Sequence, residues 1–499
     1  MAVTIIAKKL DAIFTAKYAV ITLPLLTIIC IIVKVVYNIY FHPLSSYPGP
    51  KTYAATQIPW TRALLNGNIS YETHELHKKF GEVVRIAPNE LSYDSAQGWN
   101  DVYGYRIGKR QLEKSRHFYD NLPGGAPNIV SAATSDHSRF RRLLSHALSE
   151  KAMREQEPLM KVYIDLLIQR LKETSAKPTN MVNWYNWTTF DMFGDFCFGE
   201  SFQCLEKASH HPWISMLFDS TNLATVMMAF SHPFLKMIST LLIPKSFQAK
   251  VDAHNQMAGE KVAKRREIQT DRADLMSYIL KNQDKSPMTD AEINSNAGIL
   301  IIAGSETIAT LMSGATYLLL QNPEVLKKLV KIIRETFASE EEITIPGVTN
   351  LTYLSAVLDE SLRMYPPVPV GLPRTIGPNG DTVCGKWVPG NTTVSVNQWA
   401  AFRSADNFTE PNSFIPERFM GDERFASDNF QAFQPFSTGP RNCVGRNYAY
   451  TEMRLMMTRI LWNFDLEICD GMEQWSKQKM YTAWEKGPLM VKVKPKKNQ

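Results

Sequence analysis

From Thr289 to Asn322-Pro323 the chain keeps one helical pattern for roughly 30 residues, about 45 Å at the usual rise. Thr289 followed by Glu292 is a capping box that starts it, and Pro323 stops it. The middle, Gly298 to Ala309, is apolar nearly all round, so this helix belongs inside a body rather than on its surface. With 499 residues the chain has room for two or three ordinary domains or one large fold. A 44% hydrophobic and 11% aromatic composition is enough to bury such a helix in a sizeable core. Within the buried stretch sits Ala303-Gly304-Ser305-Glu306-Thr307. Gly304 costs roughly 1 kcal/mol of helix stability, and Glu306 is expensive there unless paired or hydrogen-bonded. Such local cost in an otherwise ideal element marks function. The plainer reading is a core helix carrying a buried ion pair.

The second constraint is Phe436 to Gly445, Phe-Ser-Thr-Gly-Pro-Arg-Asn-Cys-Val-Gly. Gly439-Pro440 breaks any regular element, and a helical pattern starts directly after Cys443, with Tyr448, Met453, Leu455, Met456 and Ile460 on its apolar positions. A cysteine just before a helix N-terminus meets free N–H groups and a positive dipole end, which favour a thiolate. Six cysteines without framework spacing or a CxxC pair argue against a disulfide-built secreted protein and a structural zinc site. A single thiolate suits the proximal ligand of a haem iron. The alternative is a buried, inert cysteine.

This loop matches Phe-x-x-Gly-x-Arg-x-Cys-x-Gly at every fixed position, and the chain resembles the haem-thiolate monooxygenases, the cytochromes P-450. The resemblance runs from the proline-rich stretch to the C-terminal strand. It implies a mainly α fold with small β-sheets (α+β), one large catalytic domain behind a membrane anchor. Cys443 would then be the axial ligand of haem, with Phe436, Gly439, Arg441 and Gly445 shaping the cofactor loop. The central helix resembles the family's Ala-Gly-x-(Asp/Glu)-Thr motif, in which Gly304 would open a groove for dioxygen while Glu306 and Thr307 relay protons. Glu360 and Arg363, three apart on a helix ending before Pro366-Pro367, would hold Arg418 of Pro416-Glu417-Arg418-Phe419 and brace the cysteine loop.

The helix beginning near Thr134, with Thr134 or Ser135 as candidate cap, carries His137 where the family usually has Trp, and Arg141 four residues on. The resemblance implies that Arg141, Arg374 and Arg441 meet the haem carboxylates; guanidinium donors fit such groups. Arg139 and Arg142 read either as a solvated basic face or as a dock for an acidic redox partner. By resemblance, Val368 to Gly371 would be a strand lining the substrate pocket. Leu489, Val491 and Val493 alternate with lysines as a terminal edge strand before a charged tail, Lys494 to Lys497.

At the other end, Tyr18 to Phe41 is apolar and near the ~20 residues that span a bilayer, with no cleavage site after it. Residues 1–17 read as a surface amphipathic helix, 18–41 as a transmembrane anchor, 42–51 as a stiff proline-rich hinge, and 52–499 as the catalytic domain. Lysine bias alone leans towards a cytosolic N-terminus. Resemblance to microsomal members implies a single-pass protein of the endoplasmic reticulum membrane with its catalytic domain in the cytosol. Electrons would come from NADPH–cytochrome P-450 reductase, with cytochrome b5 as a further donor, because no flavin or dinucleotide motif is present. A net charge of +6 gives no reason to expect nucleic acid. Phe198 to Phe202 resembles a segment of fungal members, the chain as a whole resembles fungal members including trichothecene-type hydroxylases, and Leu217 to Leu242 suggests an access roof. The expected reaction oxidises an apolar small molecule with O2. Rival readings are an isomerase, dehydrase or peroxide user without a reductase, and a haem protein that binds ligands without turnover.

Overall fold

The computed structural model describes residues 22–106, 108, 110–119, 125–213, 225, 228, 245–268, 272, 274–282 and 287–496. The expected surface helix 1–17, the first residues of the apolar segment, Lys497 and, apart from Thr225 and Met228, the stretch Leu217 to Leu242 lie outside them. The protein is mainly α with small sheets. The central helix is one unbroken element, Asp290–Gln321, and Thr289 and Glu292 exchange both bonds of the capping box. Glu292 also binds Arg139 at 2.6 Å, which takes that arginine out of the expected free basic face; Arg142 stays exposed.

Three glycines let neighbours press onto the central helix. A Cβ at Gly298, Gly304 or Gly314 would crowd His254, Phe193 or Tyr365, respectively. The helix Met181–Phe198 lies alongside, almost wholly buried. It is pinned by Tyr185 Oη to Thr316 Oγ1 at 2.6 Å and by Ser305 Oγ donating to the Thr189 carbonyl at 3.2 Å. The helix cost of glycine is thus offset by dispersion contacts that a side chain would block.

A five-stranded sheet runs in the order β1 (Val83–Ala87), β2 (Glu90–Tyr93), β8 (Thr393–Val396), β5 (Arg374–Thr375), β3 (Glu113–Lys114). Its only parallel pair is β2 with β8; register sets Lys114 opposite Arg374. A second sheet orders β4 (Thr179–Asn180), β10 (Met490–Pro495) and β9 (Phe464–Ile468). The terminal strand β10 is therefore the middle strand, not an edge, because β4 pairs with Met490 and Val491. The hairpin β6 (Asp381–Val383) and β7 (Lys386–Val388) stands apart.

The segment Val368 to Gly371 is a chain of bends rather than a strand. Pro366, Pro367, Pro369 and Pro373 surround it and cannot donate to a ladder. Thr134 does not cap its helix, Thr134–Ala147, which has Ala133 at the cap and no side-chain bond there. Its hydroxyl donates instead to Glu113 Oε1 at 2.8 Å.

The helix Thr22–Phe41 is long and apolar enough to cross a membrane and hardly touches the body. The central helix meets the same length and composition test, yet it is mostly buried and is core. The proline-rich segment after Phe41 lies packed on the body. Leu44 is fully buried, Tyr47 Oη donates to the Trp387 carbonyl at 2.8 Å, and Arg85 Nη1 donates to the Asn38 carbonyl at 2.9 Å.

Candidate active site

The cysteine loop is held by its own backbone. Cys443 N–H donates to the Phe436 carbonyl at 2.8 Å, and Gly439–Arg441 makes one 3-10 turn. Gly439 has φ +73° and a Cβ there would collide with the Tyr103 carbonyl, so glycine is required twice over. Gly445 is the N-cap of the helix Arg446–Asn463. Phe436 packs on Tyr450, ring centroids 5.1 Å apart. The Cys443 side chain opens into a cavity of about 310 Å³. Burial pushes its thiol up, against the opposing pull of the Gly445 N–H, Arg141 and Arg446. The helix-end preference for a thiolate is present, and without a metal it loses to desolvation.

Ala303, Gly304 and Thr307 of the central helix line the same cavity. Thr307 Oγ1 donates to the Ala303 carbonyl at 2.7 Å, which leaves the oxygen free to accept from the cavity side. The space beside Gly304 is filled by the Phe193 ring, so the open face of this segment is Ala303. Glu306, the next residue round the helix, does not line the cavity. Its Oε1 is ion-paired with Lys486 and accepts from Thr310 Oγ1 at 3.2 Å, while Oε2 is buried without a partner. The acid and hydroxyl of the motif thus point to different sides, as adjacent helical residues must.

At one edge of the cavity stand Lys114, His137, Arg141 and Arg441, with Arg374 opposite Lys114 on β5. Arg141 is bound to both the carbonyl and the side chain of Asn442, the latter at 2.6 Å. Arg441 donates to the Ala132 carbonyl at 2.8 Å and to Thr134 Oγ1 at 3.2 Å. Arg374 is 3% exposed, and its Nη1 has no partner. The carboxylate these bonds reach is Glu113, 3.5 Å from Arg441. Burial, then Arg441, Lys114, Arg141 and Arg374, push His137 down to about 3, so it is neutral there. Three arginines and Lys114 around one carboxylate leave an excess of positive charge, which fits a cofactor with two carboxylates beside a single sulfur ligand.

Glu360, Arg363 and Arg418 meet in the core away from the cavity. Arg363 makes a fork to Glu360, both bonds 2.7 Å, and Arg418 Nε stands 3.4 Å from Glu360 Oε1. Asp428, which the sequence reading missed, completes the group by pairing with Arg418. Lys114 and Lys486 were missed as well. Lys114 sits in a two-residue strand, and Lys486 meets Glu306 across 180 residues of chain. A larger cavity, about 810 Å³, lies beside the first between Trp60, Phe118 and Val370 and holds neither Cys443 nor Thr307.

A flat anionic cofactor held against one sulfur defines the class of protein that this fold and site can be. The chain belongs to the cytochrome P450 family, whose model matches residues 48–493. It is 45% identical over 463 residues to the cytochrome P450 monooxygenase astA of Talaromyces wortmannii, covering 92% of this chain and 94% of that one. It is 44% identical over 472 residues to efuB of Hormonema carpetanum, covering 93% and 94%. Averantin hydroxylase of Dothistroma septosporum is 42% identical over 468 residues, covering 93% and 89%. The protein is accordingly a haem-dependent oxidoreductase, a monooxygenase of fungal secondary metabolism that acts on a small molecule with O2 and a redox partner.

Proposed function

We propose that the chain is a membrane-anchored haem-thiolate monooxygenase that hydroxylates or otherwise oxidises an apolar terpenoid or polyketide. The observation that carries this is one cysteine opening into a largely apolar cavity that Thr307 also lines, with an uncompensated cation cluster on its rim. Haem, when bound, supplies the activation of dioxygen that no side chain can perform. Cys443 would hold its iron through sulfur, and a bound metal would keep that sulfur deprotonated despite burial. Arg141, Arg374 and Arg441 receive the carboxylates. Thr307 Oγ1 passes a proton at the cavity wall, and Glu306, after turning from Lys486 and taking a proton from solvent, returns one to Thr307. Glu360, Arg363 and Arg418 keep the cysteine loop in register.

Supporting the anchor is the exposed apolar helix Thr22–Phe41, whose end is bonded to the body. We place the protein in the endoplasmic reticulum membrane, catalytic domain in the cytosol, served by NADPH–cytochrome P-450 reductase, with cytochrome b5 as a further donor. The test uses the full chain in microsomes with and without reductase. Terpenoids and polyketides are screened by spectral titration, and each binder is assayed for an oxygenated product. NADPH- and reductase-independent conversion would refute the electron source. Release of the full chain by alkaline carbonate would refute the anchor.

A further inference from the structure

Lys114 is the most conspicuous cation of the rim. It lies on β3 directly across from Arg374 on β5, and like charges in that relation are destabilising. Arg441 reaches it from the cysteine loop and His137 from the helix Thr134–Ala147. Beside it, Tyr119 lies under its ammonium group, 4.3 Å from nitrogen to ring centroid. Its one hydrogen bond is to the Val130 carbonyl, a neutral acceptor. Glu113, its neighbour in sequence, is engaged by Thr134 and Arg441 instead. A half-buried lysine without a carboxylate, facing a buried arginine whose Nη1 is orphaned, leaves the rim short of negative charge.

We propose that Lys114 closes the cationic clamp on the haem carboxylates and takes up a proton from solvent as the cofactor enters. The step is a protonation of the amine and nothing else: solvent gives the proton, the Lys114 nitrogen receives it, and the cofactor's negative charge holds it there. Burial, followed by Arg374 and Arg441, already biases this lysine towards its neutral form in the empty protein. Haem binding therefore carries a proton with it, and haem is held less tightly as pH rises. The inference rests on haem being the cofactor, which the Cys443→Ser carbonyl spectrum tests separately.

The experiment follows haem loss from the full-length holoenzyme to excess apomyoglobin, in the parent, Lys114→Met and Lys114→Arg. A buried charge-assisted bond of about 1.5–3 kcal/mol corresponds to roughly 10–100-fold faster loss in Lys114→Met. Lys114→Arg keeps the slow rate but loses the pH dependence, since arginine stays charged. A second arm loads each protein with the dimethyl ester of haem, which lacks the carboxylate charges. The parent discriminates strongly between haem and ester, and Lys114→Met discriminates less. Calorimetry of haem binding in two buffers of different ionisation enthalpy should show proton uptake in the parent alone. Equal haem-loss rates in parent and Lys114→Met overturn the clamp, and so does unchanged discrimination against the ester. Equal proton uptake in all three proteins overturns the coupling.

Discussion

Two clusters of charge in this protein, both built on arginine, differ in balance. In the first, Glu360, Arg363, Arg418 and Asp428 are buried, two of each sign. Their remaining donors are spent on carbonyls, those of Phe402, Pro411 and Ser413 for Arg363 and that of Thr409 for Arg418. In the second, Lys114, Arg141, Arg374 and Arg441 stand around one carboxylate, Glu113, which pairs with Arg441 among them, and Arg374 leaves Nη1 unpaired. A closed network has nothing left to offer a ligand and is structural. An open one costs stability until something arrives, and so marks where something binds.

The sharpest way to break this contrast is to remove what the open site is built around. Cys443→Ser should abolish turnover and the thiolate type of reduced-carbonyl spectrum while the protein still folds. A variant with the parent spectrum would end the assignment of the sulfur.

The next largest effect is expected in the closed network. Arg418→Ala leaves Glu360 and Asp428 short of a partner in the core and should cost about 3–5 kcal/mol. Thermal unfolding and the yield of haem-loaded protein would read it. A loss under 1 kcal/mol would mean the network is not the brace its geometry suggests.

Glu306 lies between the two cases, since it has a partner in Lys486 and one oxygen without any. Glu306→Gln should lower turnover about 10²-fold or more with haem content unchanged. A double-mutant cycle with Lys486→Met should give a coupling of about 0.5–3 kcal/mol in the rate. Strict additivity would show that the ion pair is only packing.

The smallest effect has the opposite sign. Arg374→Met removes a buried cation whose Nη1 has no partner, so the haem-free protein should gain about 1 kcal/mol. The same variant should lose haem faster. Denaturation with and without haem measures both, and destabilisation of the haem-free form would place Arg374 with the closed network.

Much of this was legible in the residues. The capping box, the length of the central helix and the glycine-bounded cysteine loop follow from local rules, which need only neighbours in sequence. The fork of Glu360 to Arg363 follows from helical spacing, whereas Asp428 arrives from a separate loop and carries no motif. The proline-flanked segment after Pro366 looked extended enough for a strand, but a ladder needs donors that proline lacks. The last strand looked like an edge because alternation tells which face is buried, not how many neighbours a strand has.

What the sequence alone determined is the set of reactive groups: one sulfur before a helix, a threonine and an acid on a buried helix, and arginines spaced along the chain. What tertiary structure alone decided is which way they face. It turned Glu306 to Lys486, filled the place beside Gly304 with Phe193, and set Lys114 against Arg374 through a two-residue strand. The reason is range: spacing fixes neighbours within a turn or a strand, but partners more than a hundred residues away are chosen only when the core closes.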